Sequence, residues 1–295
     1  MTRPRSILFR MFRTLLLLAL VLTLAALGYI RYSGAWNRVF PSTHHDTLAL
    51  RLPTDLSSPA VLVFSKTNGY RHIDSIAAGG EALRSMASAR GWGLVHTENG
   101  TVFNAQDLAR FDAVVFLNAT GDVLDRDQEL AFQNWLEAGG GWLGIHAAGD
   151  NSHAAWQWYI DNLIGAKFTA HILGPQIQRA TVVLENHDHP ALRDLPNIWS
   201  HDEEWYSWAQ SPRSGGFTIL ATVDEESYTP VQKFFSHEVD LRMGDHPVVW
   251  ANCVGSGRSV YATMGHRPEA FKQTQFRLLI ENSLSWLMAP ATGDC

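Results

Sequence analysis

Four short apolar runs limit this chain more than any other feature. AVLVFS (60–65), GLVHT (93–97), AVVFLN (113–118) and WLGI (142–145) are too short for independent helices and are set off by Gly or polar residues. Continuous apolar runs mark strands buried on both faces, whereas half-exposed strands alternate. Helical patterns lie between them. Residues 74–90 form one, stopped by Gly91. Residues 104–110 form a short second. A third starts at Asp125, places Leu130, Phe132, Trp135 and Leu136 near helical spacing, and ends at Gly139-Gly140-Gly141. Strand and helix alternate, which predicts βαβ units. The expected fold class is α/β, a mostly parallel sheet flanked by helices.

The second half is more mixed. RATVVLE (179–185), FTILATV (217–223), PVVWANC (247–253) and RSVYATM (258–264) read as strands, the last two joined by a Gly255-Ser256-Gly257 turn that predicts an antiparallel hairpin. Pro268 reads as the start of a closing helix that runs to about Met288, with Phe271, Phe276, Leu279, Ile280, Leu284 and Leu287 on one face.

The N-terminus reads as a targeting segment. Arg3, Arg5, Arg10 and Arg13 precede an uncharged apolar run from Thr14 to Ile30. That order places residues 1–13 in the cytoplasm, 14–30 as a transmembrane signal anchor, 31–57 as a linker, and 58–290 as a domain on the extracytoplasmic, periplasmic side. Secretion after cleavage near Ala26-Leu27-Gly28 is the competing reading. Net charge is −6, and no basic block lies outside the first thirteen residues, so a nucleic-acid partner is not expected. Cys253 and Cys295 are too few for a disulfide framework and are expected to stay unpaired.

Ligands of open parallel sheets bind beyond the carboxyl ends of the strands. By this reading SKTNGYRH, NATGDVLD and HAAGDN stand there, after the first, third and fourth strands. FSKTNGYRHIDSI, VVFLNATGDVL, GGGWLGIHAAGD, HDEEWY, DHPVVW and MGHRPEAF occur in order from about residue 60 to 290. Together they resemble the successive motifs of ThuA-like (trehalose-utilisation) proteins. The resemblance implies a class I glutamine-amidotransferase-like, flavodoxin-like fold and a role in carbohydrate metabolism, with a sugar or an oxidised (3-keto) glycoside as substrate. The parent fold presents a Cys nucleophile at a strand–turn–helix elbow. Here His146 stands at the matching place, and an imidazole cannot do thioester chemistry, so glutamine hydrolysis is not expected. Gly139 to Gly144 formally fits G-x-G-x-x-G, but the order is helix, glycines, strand, the reverse of a dinucleotide site.

His146 and Glu204 are the expected acid–base pair, and Asp150 either orients His146 or caps a short helix near His153. His146, His171 and His266, with a carboxylate from Glu203 or Glu204, are a candidate divalent metal set; the cofactor is otherwise open. Asn68, Tyr70, Arg71, His72, Thr120, Asp122, Glu203, Trp205, Tyr206 and His266 are the candidate sugar contacts, the aromatics by stacking. Each has a plainer reading as loop or core. Gly144, Ala147 and Ala148 are expected to leave room for a ligand beside His146. Three readings stay open: a glycoside-directed hydrolase, lyase or isomerase, a non-catalytic sugar-binding or envelope-interaction module, and a metal-dependent hydrolase of an unrelated ester or amide.

Overall fold

The computed structural model describes residues 4–234 and 237–290. Helices are α1 (Pro4–Tyr32), α2 (Trp36–Val39), α3 (Ile73–Arg90), α4 (Ala105–Leu108), α5 (Arg126–Glu137), α6 (Gln157–Tyr159) and α7 (Thr274–Leu287). Strands are β1 (Ala60–Phe64), β2 (Gly93–Thr97), β3 (Ala113–Leu117), β4 (Gly141–Ile145), β5 (Phe168–His171), β6 (Gln178–Leu184), β7 (Ile198–Glu203), β8 (Tyr206–Trp208), β9 (Thr218–Asp224), β10 (Val231–Phe234), β11 (His237–Asp240), β12 (Pro247–Val254) and β13 (Gly257–Ala262).

Nine strands make one sheet in the order β2-β1-β3-β4-β13-β12-β9-β6-β7. The first five are parallel and every later pair is antiparallel, so the sheet is mixed rather than mostly parallel. The departure begins where Gly255-Ser256-Gly257 reverses the chain between β12 and β13, the hairpin its glycines predict. β5–β8 and β10–β11 are separate two-stranded pairs.

The continuous apolar runs do what their pattern implies. In β1, Val61 and Val63 face one core while Ala60, Leu62 and Phe64 face the other. Leu83 and Met86 of α3 and Leu279, Ile280 and Leu284 of α7 cover the first face; Phe132 and Leu136 of α5 cover the second. Asp125 caps α5 in a full capping box with Gln128, and Gly91 ends α3 at φ +70°. The closing helix starts at Thr274, not Pro268. Gln273 is extended at ψ 127°, and its amide donates to Ser200 O at 2.6 Å, so residues before it form only a short 3₁₀ turn.

At the N-terminus α1 outlasts the expected span. Leu8–Tyr32 is long and apolar enough to cross a membrane, and none of its residues is buried. Residues 31–57 are not a free linker. Arg71 N donates to Gly34 O at 2.9 Å, Asn37 Nδ2 to Thr67 O at 2.7 Å, and Lys66 pairs with Asp46 at 2.6 Å. Cys253 is disulfide-bonded, contrary to expectation; Cys295 lies outside the described residues.

Candidate metal centre

Several strand ends converge on one edge. β1, β3, β4 and β13 are parallel, and β7, separated from β13 by three direction reversals after the first, points the same way. The loop after β1 delivers His72 at the start of α3. β4 delivers His146, the loop after β13 delivers His266, and β7 runs into Glu203 and Glu204.

His146 is held in a demanding conformation. Its φ is +50°, a left-handed value that costs a non-glycine residue on the order of 1–3 kcal/mol. Its surroundings fix it there. Nδ1 donates to Thr263 O at 2.7 Å, and Tyr261 OH donates to His146 O at 2.6 Å. Asn118, also left-handed at φ +50°, accepts from Ala147 N at 3.3 Å and donates to Ser75 Oγ at 2.9 Å. A backbone carbonyl on Nδ1 fixes the tautomer and turns Nε2 toward the cluster.

Around that Nε2 stand three further groups. His266 Nδ1 is 3.0 Å away, Glu204 Oε2 3.4 Å, and Tyr206 OH 3.1 Å. His266 Nδ1 lies 3.3 Å from Glu204 Oε2. His72 completes the group, its ring edge-on to those of His146 and His266 at 4.9 Å each. One donor atom from each of His72, His146, Glu204 and His266 lies within 4.8 Å of the others. His72 Nδ1 is buried with no hydrogen-bond partner among the described residues. A metal bonded at 2.0–2.2 Å holds neighbouring ligand atoms roughly 3.0–3.4 Å apart, which the His146, His266 and Glu204 separations match. The donor set of imidazoles and one carboxylate suits zinc, iron or manganese rather than calcium.

The electrostatics leave Glu204 ionised and His72 neutral, as ligation needs, while drawing His146 toward its protonated form. Burial would raise the Glu204 pKa, but hydrogen bonds to His146 and His266 hold it far below the usual carboxylate range. Burial opposes protonation of His146, yet Glu204 and the nearby Glu203 charge raise it on balance. Burial, then the neighbouring His146 and His266, push His72 well below an ordinary histidine. Burial and the Glu204 charge keep Tyr206 a phenol.

The other expected residues fall into two groups. His171 stands outside the four-residue group: its Nδ1 faces the opposite Glu204 oxygen at 3.1 Å, where Gln176 also donates. Tyr70 and Arg71 line a cavity of about 580 Å³ beside His72 and His266, Arg71 also pairing with Glu98 at 2.6 Å.

Glu203 does not contact a ligand space. It is fully buried and accepts from Gly265 N at 2.6 Å, His266 N at 3.2 Å and Glu204 N at 2.9 Å, pinning the backbone that carries His266 and Glu204. Trp205 is in the core on the far face from Tyr206, its Nε1 donating to Gln178 O at 2.9 Å. Adjacent extended residues point to opposite sides, so the sequence pair Trp205-Tyr206 could not both face a sugar.

Thr120 and Asn68 tie loops together. Thr120 Oγ1 donates to Tyr70 O at 2.7 Å, and Asn68 Nδ2 to His44 O at 3.1 Å. The Asp122 carboxylate meets His45 at 3.2 Å. Asp150 caps the short turn Asn151–His153, accepting from Ser152 N at 2.8 Å, and makes no hydrogen bond to His146. The small residues beside His146 do not leave ligand space either. A Cβ at Gly144 would lie 2.3 Å from the Trp142 ring, so core packing demands that glycine.

The family model for ThuA, described as trehalose utilisation, matches residues 60–287. A ThuA-like protein of Bacteroides uniformis is 24% identical with a TM-score of 0.67, over 80% of this chain and 95% of its own. A ThuA-like protein of Parabacteroides merdae is 16% identical with a TM-score of 0.61, over 81% and 93%. A cytoplasmic protein of Salmonella typhimurium is 12% identical with a TM-score of 0.52, over 77% and 99%. These likenesses concern the fold. No curated protein matches the chain.

Proposed function

The chain belongs to the ThuA family, and on that premise we propose that it is a metal-dependent enzyme of carbohydrate metabolism. Its substrate is a sugar or an oxidised (3-keto) glycoside, which it cleaves or isomerises on the extracytoplasmic side of a membrane to which α1 anchors it. The observation that carries this reading is the set His72, His146, His266 and Glu204 within 4.8 Å at the carboxyl edge of the sheet, with His146 and Glu204 buried. The family description supports the carbohydrate class. The exposed apolar α1 and the disulfide at Cys253 support an anchored domain in an oxidising compartment.

A divalent metal bound there would polarise a carbonyl or lower the pKa of a bound water. This reading moves His146 and Glu204 from the acid–base pair expected from sequence to ligands. Their partners orient them: Thr263 O fixes the His146 tautomer, and His171 and Gln176 fix Glu204. The Tyr206 hydroxyl, kept protonated, is the proton donor beside His146 Nε2. Tyr70 and Arg71 lie along the adjoining cavity, where a hydroxyl and a guanidinium suit sugar oxygens.

Metal analysis of the purified full chain, with turnover on paired oxidised and unoxidised disaccharides, tests the proposal. One divalent ion per chain and metal-dependent turnover of an oxidised member are expected, both lost in Glu204→Gln. A metal-free chain with unchanged turnover would remove the metal reading; binding without turnover on the whole panel would leave a sugar-binding module.

A further inference from the structure

We propose that the site opens onto the membrane interface and takes its saccharide as the glycosyl head of an amphiphile, not as free sugar. The inference rests on reading α1 as a membrane anchor. The cavity beside the cluster is lined on one side by His72 and His266, and on the other by Tyr32 and Ser33, the exit of α1. One space of about 580 Å³ therefore joins the anchor to two candidate ligands.

The join is short and fixed. The apolar run ends at Ile30, and the chain is still coiled beyond it, with Ser33 N bonded to Tyr29 O at 2.9 Å and Ala35 N to Ile30 O at 3.1 Å. Gly34 then passes in backbone contact with the loop that carries His72. Arg71 N donates to Gly34 O at 2.9 Å, and a Cβ at Gly34 would fall 2.0 Å from Arg71 O. Coiled at about 1.5 Å per residue, the four residues from Ile30 to Gly34 rise only about 6 Å. The headgroup layer is roughly 5–8 Å thick on each side. The mouth of the cavity thus lies at headgroup depth.

The side chains around the mouth suit that place. Tyr32 is 82% exposed, and Ile73 on the cavity wall is 43% exposed. Tyr29, Val39 and Phe40 are exposed nearby in sequence, and Arg31 lies over the Trp36 ring at 5.7 Å. Aromatic and apolar side chains with a cation beside them form the usual belt where a helix leaves the bilayer. An alkyl chain in the bilayer and a sugar head in the cavity would occupy both surfaces at once.

The test uses the full chain in lipid nanodiscs, with a bimane label at Glu269→Cys on the cavity rim or at Ala138→Cys on the opposite sheet edge. Lipids carrying a nitroxide in the headgroup should quench the rim label several-fold more than the other. Dodecyl maltoside below its micellar concentration should then relieve or shift the rim signal, with maltose ineffective at equal concentration. Equal quenching of both labels, with α1 present by intact mass, overturns the orientation while leaving the anchor. A mature N-terminus near Tyr29 overturns the anchor reading and this one with it. Equal effects of the two maltosides, or none from either, overturn the amphiphile.

Discussion

The two halves of the sheet contribute differently to the site. The parallel half, β2-β1-β3-β4-β13, supplies His72, His146 and His266 from loops that directly follow buried strands. The antiparallel half supplies Glu204 from the end of β7, and the small β5–β8 pair supplies His171 and Tyr206. On the first side each imidazole is delivered by local chain direction. On the second, Glu204 is useful only because Glu203 pins it to Gly265 and His266, sixty residues away in the chain. The lesson is that a strand-end ligand can be found from its own loop, while its counter-charge depends on long-range packing.

Substitutions on the two sides sharpen this contrast. The largest effect is expected from His146→Ala, which removes a proposed ligand held by the parallel half. Metal affinity should fall by more than about 100-fold, beyond the range of a supporting residue, with the thermal melt of the apo protein little changed. Metal content by mass spectrometry beside calorimetry checks both; retained metal would break the assignment.

Trp205→Ala, on the antiparallel side, should act through the core instead. A buried aromatic lost there costs about 3–5 kcal/mol in urea unfolding, with metal affinity of the folded chain preserved. Tight metal binding lost without that destabilisation would put Trp205 in the site after all.

Next in size is His171→Ala. It frees one oxygen of Glu204 without removing a ligand, so metal affinity should drop about 10–100-fold, read by competition with a chelating dye. A complete loss would make His171 a ligand, as the sequence had suggested.

The smallest effect concerns acid stability of the antiparallel half. Glu225 accepts from Met243 N and Gly244 N and meets His246 Nδ1 at 2.8 Å, while His246 Nε2 lies 2.8 Å from Tyr206 O. Burial opposes its charge, but these contacts lower its pKa to about 2 from about 4.5. A depressed carboxylate stabilises the fold above its unfolded pKa and loses that contribution as pH falls toward the folded value. Stability should therefore decline between about pH 4.5 and 2 by on the order of 1–2 kcal/mol, and Glu225→Gln should flatten that limb. An unchanged acid limb in the variant would mean the group does not govern it.

The buried parallel strands, their helices and the loops of three of the four clustered donors were legible in the sequence. β1, β3 and β4 are legible because a strand buried on both faces must be apolar at every position, and AVLVF, AVVFL and GWLGI are. Gly91, Asp125 and the Gly255-Ser256-Gly257 turn mark ends and reversals through local backbone chemistry, which needs no tertiary context. His146 could be singled out because a polar ring ending a buried strand has no apolar reason to be there. The remainder depends on packing. β7 and β8 carry no long apolar run, since IWSHDE alternates and YSW is three residues long, so the strands that bring Glu204 and Tyr206 were not legible. Which of Glu203 and Glu204 meets the histidines, whether His72 or His171 completes the set, and that Gly34 seats the N-terminal apolar helix against the site loop are all matters of distances between residues far apart in the chain. Local sequence fixes φ, ψ and burial pattern; it holds no information on where a carboxylate will meet an imidazole across a folded sheet, because that meeting is set by the packing of both cores together.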